Sequence, residues 1–472
     1  MSVKPSALLK QTGRFFAENV ALTRTSGAVR RCPDVSWVDE FIRNVKPYIF
    51  VREEDCLLIK RPNQAQRLNR QGVEVLRFLL DGGTAAELLR RTGSPERQDD
   101  IILFLYDIRR SLEGSLRADN RTRAVDVEPL AVNFSQLPVL SEVAVTSRCN
   151  LRCLFCYAGC ACATRPGQGK AEMSTAQIER VLEKIFNEAK VPSVSFTGGE
   201  PLLRPELVHL VRHAHSLGLR VNLITNGTMM TASKARELAT AGLASAQVSL
   251  EGTTAETHEA ITGIAGSFAR TVAAVEYLRD AGLVVHTNTT LNSINIDDSI
   301  RMPRFVNDVL GLERFSMNMV IPSGSASVNE GLLLRYSEIG HQLKRIQDES
   351  HKRGVDFMWY SPTPLCIFNP IIHGLGNKGC AACDGLLSVD PSGDVLPCSS
   401  LDDSVGNMLA SGFTEIWQSR RARMYRLKEL AHPGCHDCDN FNACHGACPL
   451  YWQHFGFGEL EPIQIAAGAA RG

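Results

Sequence analysis

The sequence predicts an α/β protein with a barrel-type core of parallel strands. A small α+β module precedes the core and a cysteine-rich extension follows it. Three observations carry this. Apolar runs of strand length alternate with amphipathic runs of helix length between about residues 141 and 360. Glycine marks the helix-to-strand joins at Gly218, Gly242, Gly282, Gly311 and Gly354, where a helix stop is expected. Eight of the 15 cysteines fall after Trp359. Strands alternating with helices imply parallel βαβ units. Six or seven such units suit a full or partial TIM-like barrel, with a doubly wound sheet as the alternative.

A chain of 472 residues is too long for one core. Lys+Arg and Asp+Glu both number 51, so the net charge is zero and nothing argues for nucleic acid or an anionic membrane. The basic run Arg420–Arg423 reads as a solvated helix face. The N-terminal stretch lacks the pattern of a signal peptide, and no apolar run is long enough to span a membrane. Fifteen cysteines without a secretion signal point to a reducing, cytoplasmic setting and to metal ligation.

Residues 1–45 form a lead segment with little pattern, in which Cys32 is an incidental thiol. Residues 46–120 read as one module. Tyr48–Val51 and Cys56–Ile59 flank a charged turn and predict a hairpin. Gly72–Leu80 has helical spacing, Thr84 is placed to cap Ala85–Arg91, and a third helix runs from about Gln98 to Leu112. That order describes a winged-helix-like unit. Residues 121–140 read as a polar linker into the first barrel strand, Glu142–Thr146.

Over 141–360, further strands are expected at Ser193–Phe196, Arg220–Thr225, Ala246–Leu250, Val284–Leu291, Arg314–Ile321 and Val355–Trp359. Helices are expected at Thr175–Ala189, Arg204–Ser216, Ala232–Ala241, Phe268–Ala281, Asp297–Leu310 and Glu338–Lys352. His209, His213 and His215 share the second helix, but without a further ligand they read as surface residues. Gly374–Gly379 matches G-x-G-x-x-G but neither follows a strand nor opens a helix, so no dinucleotide site is expected.

The stretch TSRCNLRCLFCY places Cys149, Cys153 and Cys156 in a C-x3-C-x2-C pattern ending on Tyr157. Three close thiolates suit an iron–sulfur cluster or zinc. Without a fourth local ligand, one metal position stays open for a small molecule. Cys160 and Cys162, just beyond, read as loop thiols. This motif resembles the signature of the radical S-adenosylmethionine (radical SAM) superfamily. The resemblance implies a partial (β/α)6 barrel and a [4Fe–4S] cluster on the three cysteines. It further implies that S-adenosylmethionine binds the open iron and is cleaved reductively to a 5′-deoxyadenosyl radical, which takes hydrogen from substrate. A donor such as flavodoxin or ferredoxin would supply the electron.

Strand exits carry further matches, where barrels place function. Gly198-Gly199-Glu200 resembles the superfamily's GGE motif, which contacts the methionine amino group; its glycines are expected to let a ligand approach the backbone. Thr225-Asn226-Gly227 resembles the family's TNG turn, and Ser249-Leu250-Glu251-Gly252 its S-[IL]-D-G, with Glu in place of Asp. These imply cofactor-binding roles for Tyr157, Gly198, Gly199, Glu200, Asn226, Ser249 and Glu251.

Cys366, Cys380, Cys383, Cys398, Cys435, Cys438, Cys444 and Cys448 fill the region 361–455, with a tail at 456–472. Asp390–Asp394 reads as a hairpin turn that brings Cys383 and Cys398 together. Such density makes ligation the expectation, of iron–sulfur clusters or of zinc. The spacing is similar to the SPASM extension: Cys383 or Cys380, Gly393 and Cys398, then C-x2-C-x5-C-x3-C. By count, eight thiolates suffice for two auxiliary [4Fe–4S] clusters. The resemblance assigns Cys398 and Cys448 to the first, and Cys435, Cys438 and Cys444 to the second. The family's last cysteine is missing after Cys448, so Cys366, His454 or an open iron must complete one cluster.

The N-terminal module is similar to the PqqD-like family of RiPP recognition elements, on Leu68–Asn69, Gly72 and Asp81–Thr84. That similarity implies strand addition of a precursor-peptide leader. The leading expectation is therefore modification of a ribosomally made peptide by thioether formation, carbon–carbon crosslinking, epimerisation or oxidation. Maturation of a tetrapyrrole cofactor or of a sulfatase-like enzyme is the alternative, and a non-catalytic cluster-delivery protein a second one. No residue identifies the acid or base.

Overall fold

The computed structural model describes residues 35–61, 64–112, 125–126, 136–158, 171–376 and 378–460. Cys32, Cys160, Cys162 and most of the tail lie outside them. The chain divides into two compact units, the second beginning at Leu130 apart from the short turn Arg61–Asn63.

The first unit opens with helix α1 (Ser36–Val45), then strands β1 (Ile49–Arg52), β2 (Leu57–Lys60) and β3 (Gln64–Leu68). Helices α2 (Arg70–Leu80), α3 (Ala85–Arg91) and α4 (Pro95–Leu112) follow, then strand β4 (Val125–Asp126). The strands form one antiparallel sheet in sequence order. Asn69 caps α2 by accepting from the Gly72 amide at 2.7 Å, and Thr84 caps α3 through the Glu87 amide at 3.2 Å. Val38 and Ile42 of α1 share one core with Leu58, Leu76, Phe104 and Ile108. Two boundaries are thereby corrected. The module begins at Ser36, not residue 46, because α1 supplies core side chains. The segment 121–140 is not all linker, because β4 pairs with Arg67 and Leu68. In the hairpin turn, the Arg52 guanidinium donates to both Asp55 carboxylate oxygens at 2.8 Å, with side chains only 0% and 1% exposed.

The second unit is built on a ten-stranded sheet. Its parallel strands are β5 (Leu140–Ala144), β6 (Ser193–Thr197), β7 (Arg220–Thr225), β8 (Leu243–Ser249), β9 (Val284–Leu291), β10 (Arg314–Met319) and β11 (Asp356–Trp359). Six crossovers join these seven strands. Five of them run through helices: α5 (Thr175–Asn187), α6 (Leu207–Ser216), α7 (Ala232–Thr240), α8 (Ala255–Thr262) with α9 (Ser267–Asp280), and α10 (Tyr336–Arg353). The sheet does not close. Strand β11 is one edge, while β5 pairs on its far side with β12 (Leu386–Val389), followed by β13 (Asp394–Leu396) and β14 (Gly406–Asn407). This is the partial α/β barrel, not the doubly wound sheet. The helix expected at Asp297–Leu310 is instead a run of 3-10, α and π turns over Asp298–Val309. Pro303, which has no N–H to donate, sits in its middle.

The faces of the strands differ in kind. Val143, Phe196, Val221, Leu223, Val248, Phe315 and Met317 pack in the core with Leu182, Leu210, Leu238 and Leu343 of the helices. The opposite face, lining the lumen, carries Glu142, Ser195, Asn222, Gln247, His286, Asn288 and Asn318. A closed TIM barrel fills its interior with branched apolar residues. This lumen is polar and joined by side-chain hydrogen bonds, such as Asn288 Nδ2 to Asn318 Oδ1 at 2.7 Å. It is lined as a chamber, not as a core.

Asp55→Ala removes the acceptor of two hydrogen bonds from the buried Arg52 guanidinium. It should destabilise the first unit by about 3–5 kcal/mol, read as a lower urea midpoint. An unchanged midpoint would show that the pair adds nothing.

Candidate active site and cysteine centres

The three-cysteine loop, residues 145–158, has no helix or strand, yet many of its backbone groups are paired. Gly199 N donates to Thr146 O and Glu200 N to Arg148 O, both at 2.8 Å. Arg152 N donates to Thr262 O at 2.9 Å, and Leu154 N to Ile261 O at 3.0 Å. Ser325 N donates to Cys156 O at 2.8 Å, and Asn329 Nδ2 to Leu154 O at 2.8 Å. The loop is therefore moored to segments following β6, β8 and β10, at the C-terminal ends of the strands. Glu172 closes its start by accepting from Ser147 N at 2.7 Å and Thr146 Oγ1 at 2.8 Å.

These contacts correct the reading of the paired glycines. A Cβ on Gly198 would lie 2.3 Å from Thr146 O, and one on Gly199 would lie 2.2 Å from Arg148 O. The space left by their missing side chains is filled by the cysteine loop, not open to a ligand. Gly324 does the same on the other flank, where a Cβ would lie 2.3 Å from Cys156 O and 2.4 Å from Tyr157 O.

Glu200 is fully buried, and its carboxylate accepts from Leu202 N (3.0 Å), Thr225 Oγ1 (2.7 Å) and Asn226 N (2.8 Å). Burial nonetheless pushes its pKa up to about 7. It thus shapes the Thr225–Gly227 turn. That turn aims Asn226 Nδ2 at Cys149 Sγ (3.9 Å) and Asn150 Oδ1 (3.0 Å). Ser249 ends β8 on the lumen face, in register with Asn288. Glu251 lies just beyond, 3% exposed, and its carboxylate accepts from Thr290 N at 2.9 Å. Burial pushes it up to about 8, so it holds a proton at neutral pH.

The C-terminal cysteines fall into two sets. Burial, then the neighbouring thiols of Cys444 and Cys438, raise Cys366. Burial, then Cys444, Cys366 and Cys438, push Cys435 up to about 11. Leu365 N donates to Cys444 Sγ at 3.4 Å, tying the upstream segment to this set. In the other set, burial and then Cys380 and Cys448 raise Cys398 well above its ordinary value. Burial, then Cys380, pushes Cys448 up to about 12. Cys383 also reaches about 12 through burial, with Cys380 among its neighbours. The hairpin of β12 and β13 places Cys383 N 3.0 Å from Pro397 O, beside Cys398, as its turn residues led us to expect. All described cysteines are free thiols.

These donor sets fit iron–sulfur clusters. Buried thiols with raised pKa gain most from a metal that takes their protons. Among the described residues, no three His, Cys, Asp or Glu side chains are spaced for one shared ion. The other candidates have surroundings of their own. His209 pairs with Glu179 at 2.6 Å and His213 faces Glu183 at 3.9 Å on the barrel exterior, while Arg420, Arg421 and Arg423 are exposed. His454 packs edge-on against Phe455. Sequence reasoning missed the lumen's polar belt, although the alternation in RVNLIT, HTNTT and SMNM carries its signal.

An incomplete barrel with a three-thiol loop at its strand ends, joined to a second cysteine field, defines a radical-type metalloenzyme class. The radical SAM superfamily profile matches residues 143–302, and the SPASM iron–sulfur cluster-binding domain matches residues 380–439. The chain is 31% identical over 327 residues to the PqqA peptide cyclase of Ruegeria pomeroyi, covering 66% of this chain and 82% of that protein. It is 27% identical over 339 residues to the AdoMet-dependent heme synthase of Methanosarcina barkeri, covering 67% and 92%. Streptococcus suis SuiB bound to its precursor peptide SuiA shares the fold, with a TM-score of 0.61, 15% identity and coverage of 86% and 95%. The solved structure of anSMEcpe with bound AdoMet does so at a TM-score of 0.52, with 20% identity and coverage of 70% and 99%. The chain belongs to the radical SAM superfamily and carries its SPASM domain. It is therefore an enzyme whose cofactors are S-adenosylmethionine, a [4Fe–4S] cluster and auxiliary iron–sulfur clusters.

Gly199→Ala forces the cysteine loop away from β6. It should cost about 1–3 kcal/mol and lower the iron bound after anaerobic reconstitution; retention of full iron would contradict the mooring. Glu251 has a folded pKa near 8 against an ordinary 4.5, so the native state binds the extra proton and its stability falls as pH rises between those values. Glu251→Gln should flatten the pH dependence of the metal-free protein's melting midpoint over that window, and an unchanged slope would count against this assignment.

Proposed function

We propose that this enzyme modifies a ribosomally made peptide whose leader is held by the N-terminal module. The observation that carries this reading is the 31% identity to a protein named as a peptide cyclase, in a chain whose first unit is a small antiparallel sheet packed with helices. A leader can add to such a sheet as a further strand. The relatives named as peptide cyclases support a peptide substrate. The domains run as first module, barrel and SPASM extension, in a cytoplasmic protein; among the described residues no helix is long and apolar enough to cross a membrane. A ferredoxin or flavodoxin would serve as electron donor.

Cys149, Cys153 and Cys156 would hold the first [4Fe–4S] cluster. Cys366, Cys435, Cys438 and Cys444 would hold one auxiliary cluster, and Cys380, Cys383, Cys398 and Cys448 the other. On this assignment Cys366 stands in for the missing last cysteine, and His454 is not needed. When bound, the first cluster and S-adenosylmethionine supply one-electron chemistry at carbon. The protein's own residues do the positioning. Asn226 places an amide N–H toward Cys149 Sγ, a contact of the kind that tunes cluster potential. Glu200 holds the Asn226 turn and, with one lone-pair site uncommitted, backs the methionine amine. Tyr157, Gly198 and Gly199 set the loop around that end, while Ser249 and the protonated Glu251 face the adenosyl side. The polar lumen receives the substrate.

A second reading, maturation of a tetrapyrrole cofactor, is favoured by the identity to AdoMet-dependent heme synthases. The full chain should bind a short peptide encoded beside its gene, and amides in the strands of the first unit should gain protection from hydrogen exchange. A chain that binds a propionate-bearing porphyrin and no such peptide would favour the second reading. Cys153→Ala and Cys366→Ala should each lose one cluster's iron, about a third of the total, while the remaining clusters persist. Full iron content in Cys366→Ala would remove it from the ligand set.

A further inference from the structure

The end of the lumen away from the cysteine loop carries a cation that no role so far uses. Arg220 opens β7 on the lumen face, the face of Asn222 and opposite the buried Val221 and Leu223. Its Nη1 donates to Ser245 Oγ at 3.1 Å; Ser245 Oγ donates to Asn222 Oδ1 at 2.7 Å, and Asn222 Nδ2 to Ser195 Oγ at 3.1 Å. Among the described residues Arg220 has no carboxylate partner. None of its nitrogens is a sealed, unsatisfied atom, so its other donors face open space.

The neighbouring lumen groups do not neutralise it. Arg314 is taken by Asp356, Nε to Oδ2 at 2.7 Å. His286 shares a hydrogen bond with Gln247 at 3.1 Å; burial, then Arg314 and Arg220, push it down to about 4, so it adds no charge at neutral pH. Glu142 lies two strands away on β5, where it accepts from Ser388 Oγ at 2.5 Å. A guanidinium desolvated by its surroundings and left without a counter-charge is costly unless a ligand supplies one. Its planar fork matches a carboxylate with two parallel hydrogen bonds.

We propose that Arg220 is a carboxylate anchor for the substrate at the lumen floor. The inference rests on the peptide reading above only for the kind of molecule that brings the carboxylate. From Arg220 to Thr225, where β7 reaches the cysteine loop, is about 16 Å at roughly 3.3 Å per residue. An extended peptide crosses that distance in about five residues. The anchored group, a C-terminal carboxylate or an Asp or Glu side chain, therefore lies about five residues from the reacting position.

The test uses the reconstituted full chain and two sets of probes. Glutarate should raise the melting midpoint of the wild type more than glutaramide does. Arg220→Gln should lose that difference and Arg220→Lys should retain part of it. No glutarate effect in the wild type, or an equal effect in Arg220→Gln, would overturn the anchor. Hexapeptides of alanine with one tyrosine, as the free acid, the amide, and the amide with an internal glutamate, then identify the source. The carboxylate-bearing form that uses the site should bind Arg220→Gln about tenfold or more weakly, with the plain amide unchanged. If glutarate responds to Arg220 and no hexapeptide binds, the anchor stands and the peptide reading falls.

Discussion

The structure depends on holding a loop without secondary structure in one shape. Residues 145–158 must present three thiols together, and no helix or strand ladder fixes their backbone. The solution is lateral. Amides from Gly199, Glu200 and Ser325 donate to loop carbonyls, and the Ile261 and Thr262 carbonyls accept from its amides. The close approach this requires is why Gly198, Gly199 and Gly324 have no side chains. Glu200 then links two motifs, because one carboxylate orders the Asn226 turn while its own backbone amide grips Arg148. Motifs far apart in sequence are one hydrogen-bonded object.

The same sheet separates two tasks by face. Its helix side buries Val, Leu, Phe and Met and supplies the stability. Its lumen side carries amides, hydroxyls, His286 and Arg220, which contribute little to apolar burial and much to recognition. An unclosed sheet makes this possible, since a closed barrel would fill the same volume with side chains. The β12–β13 hairpin extends the sheet from β5 and carries Cys383 and Cys398 at its ends, so the cysteine field is built onto the barrel's first strand. Glu142, on that strand, bonds to Ser388 and faces the lumen from the seam.

The alternation of strands and helices, the cap at Thr84 and the hairpin at Asp390–Asp394 were legible, because each rests on local spacing, and the family resemblance chose the partial barrel. The helix at Asp297–Leu310 was misread because its apolar period persists while Pro303 breaks the bonding. Helix α1 and strand β4 were missed because both are short and gain their place from tertiary packing and pairing.

By itself, the sequence determined that three thiols sit within one turn-length of chain, that strands and helices alternate, and that eight more cysteines follow. Those are facts of spacing, and spacing is local. Only the tertiary structure decided that Cys366 lies near Cys435, Cys438 and Cys444, and that Glu200 orders an internal turn. It also decided that Arg220 lies on the lumen face with, among the described residues, no carboxylate bonded to it. Each of these depends on which distant strand end, thiol or carboxylate lies across a few ångströms of space, and a linear order of residues does not contain that distance.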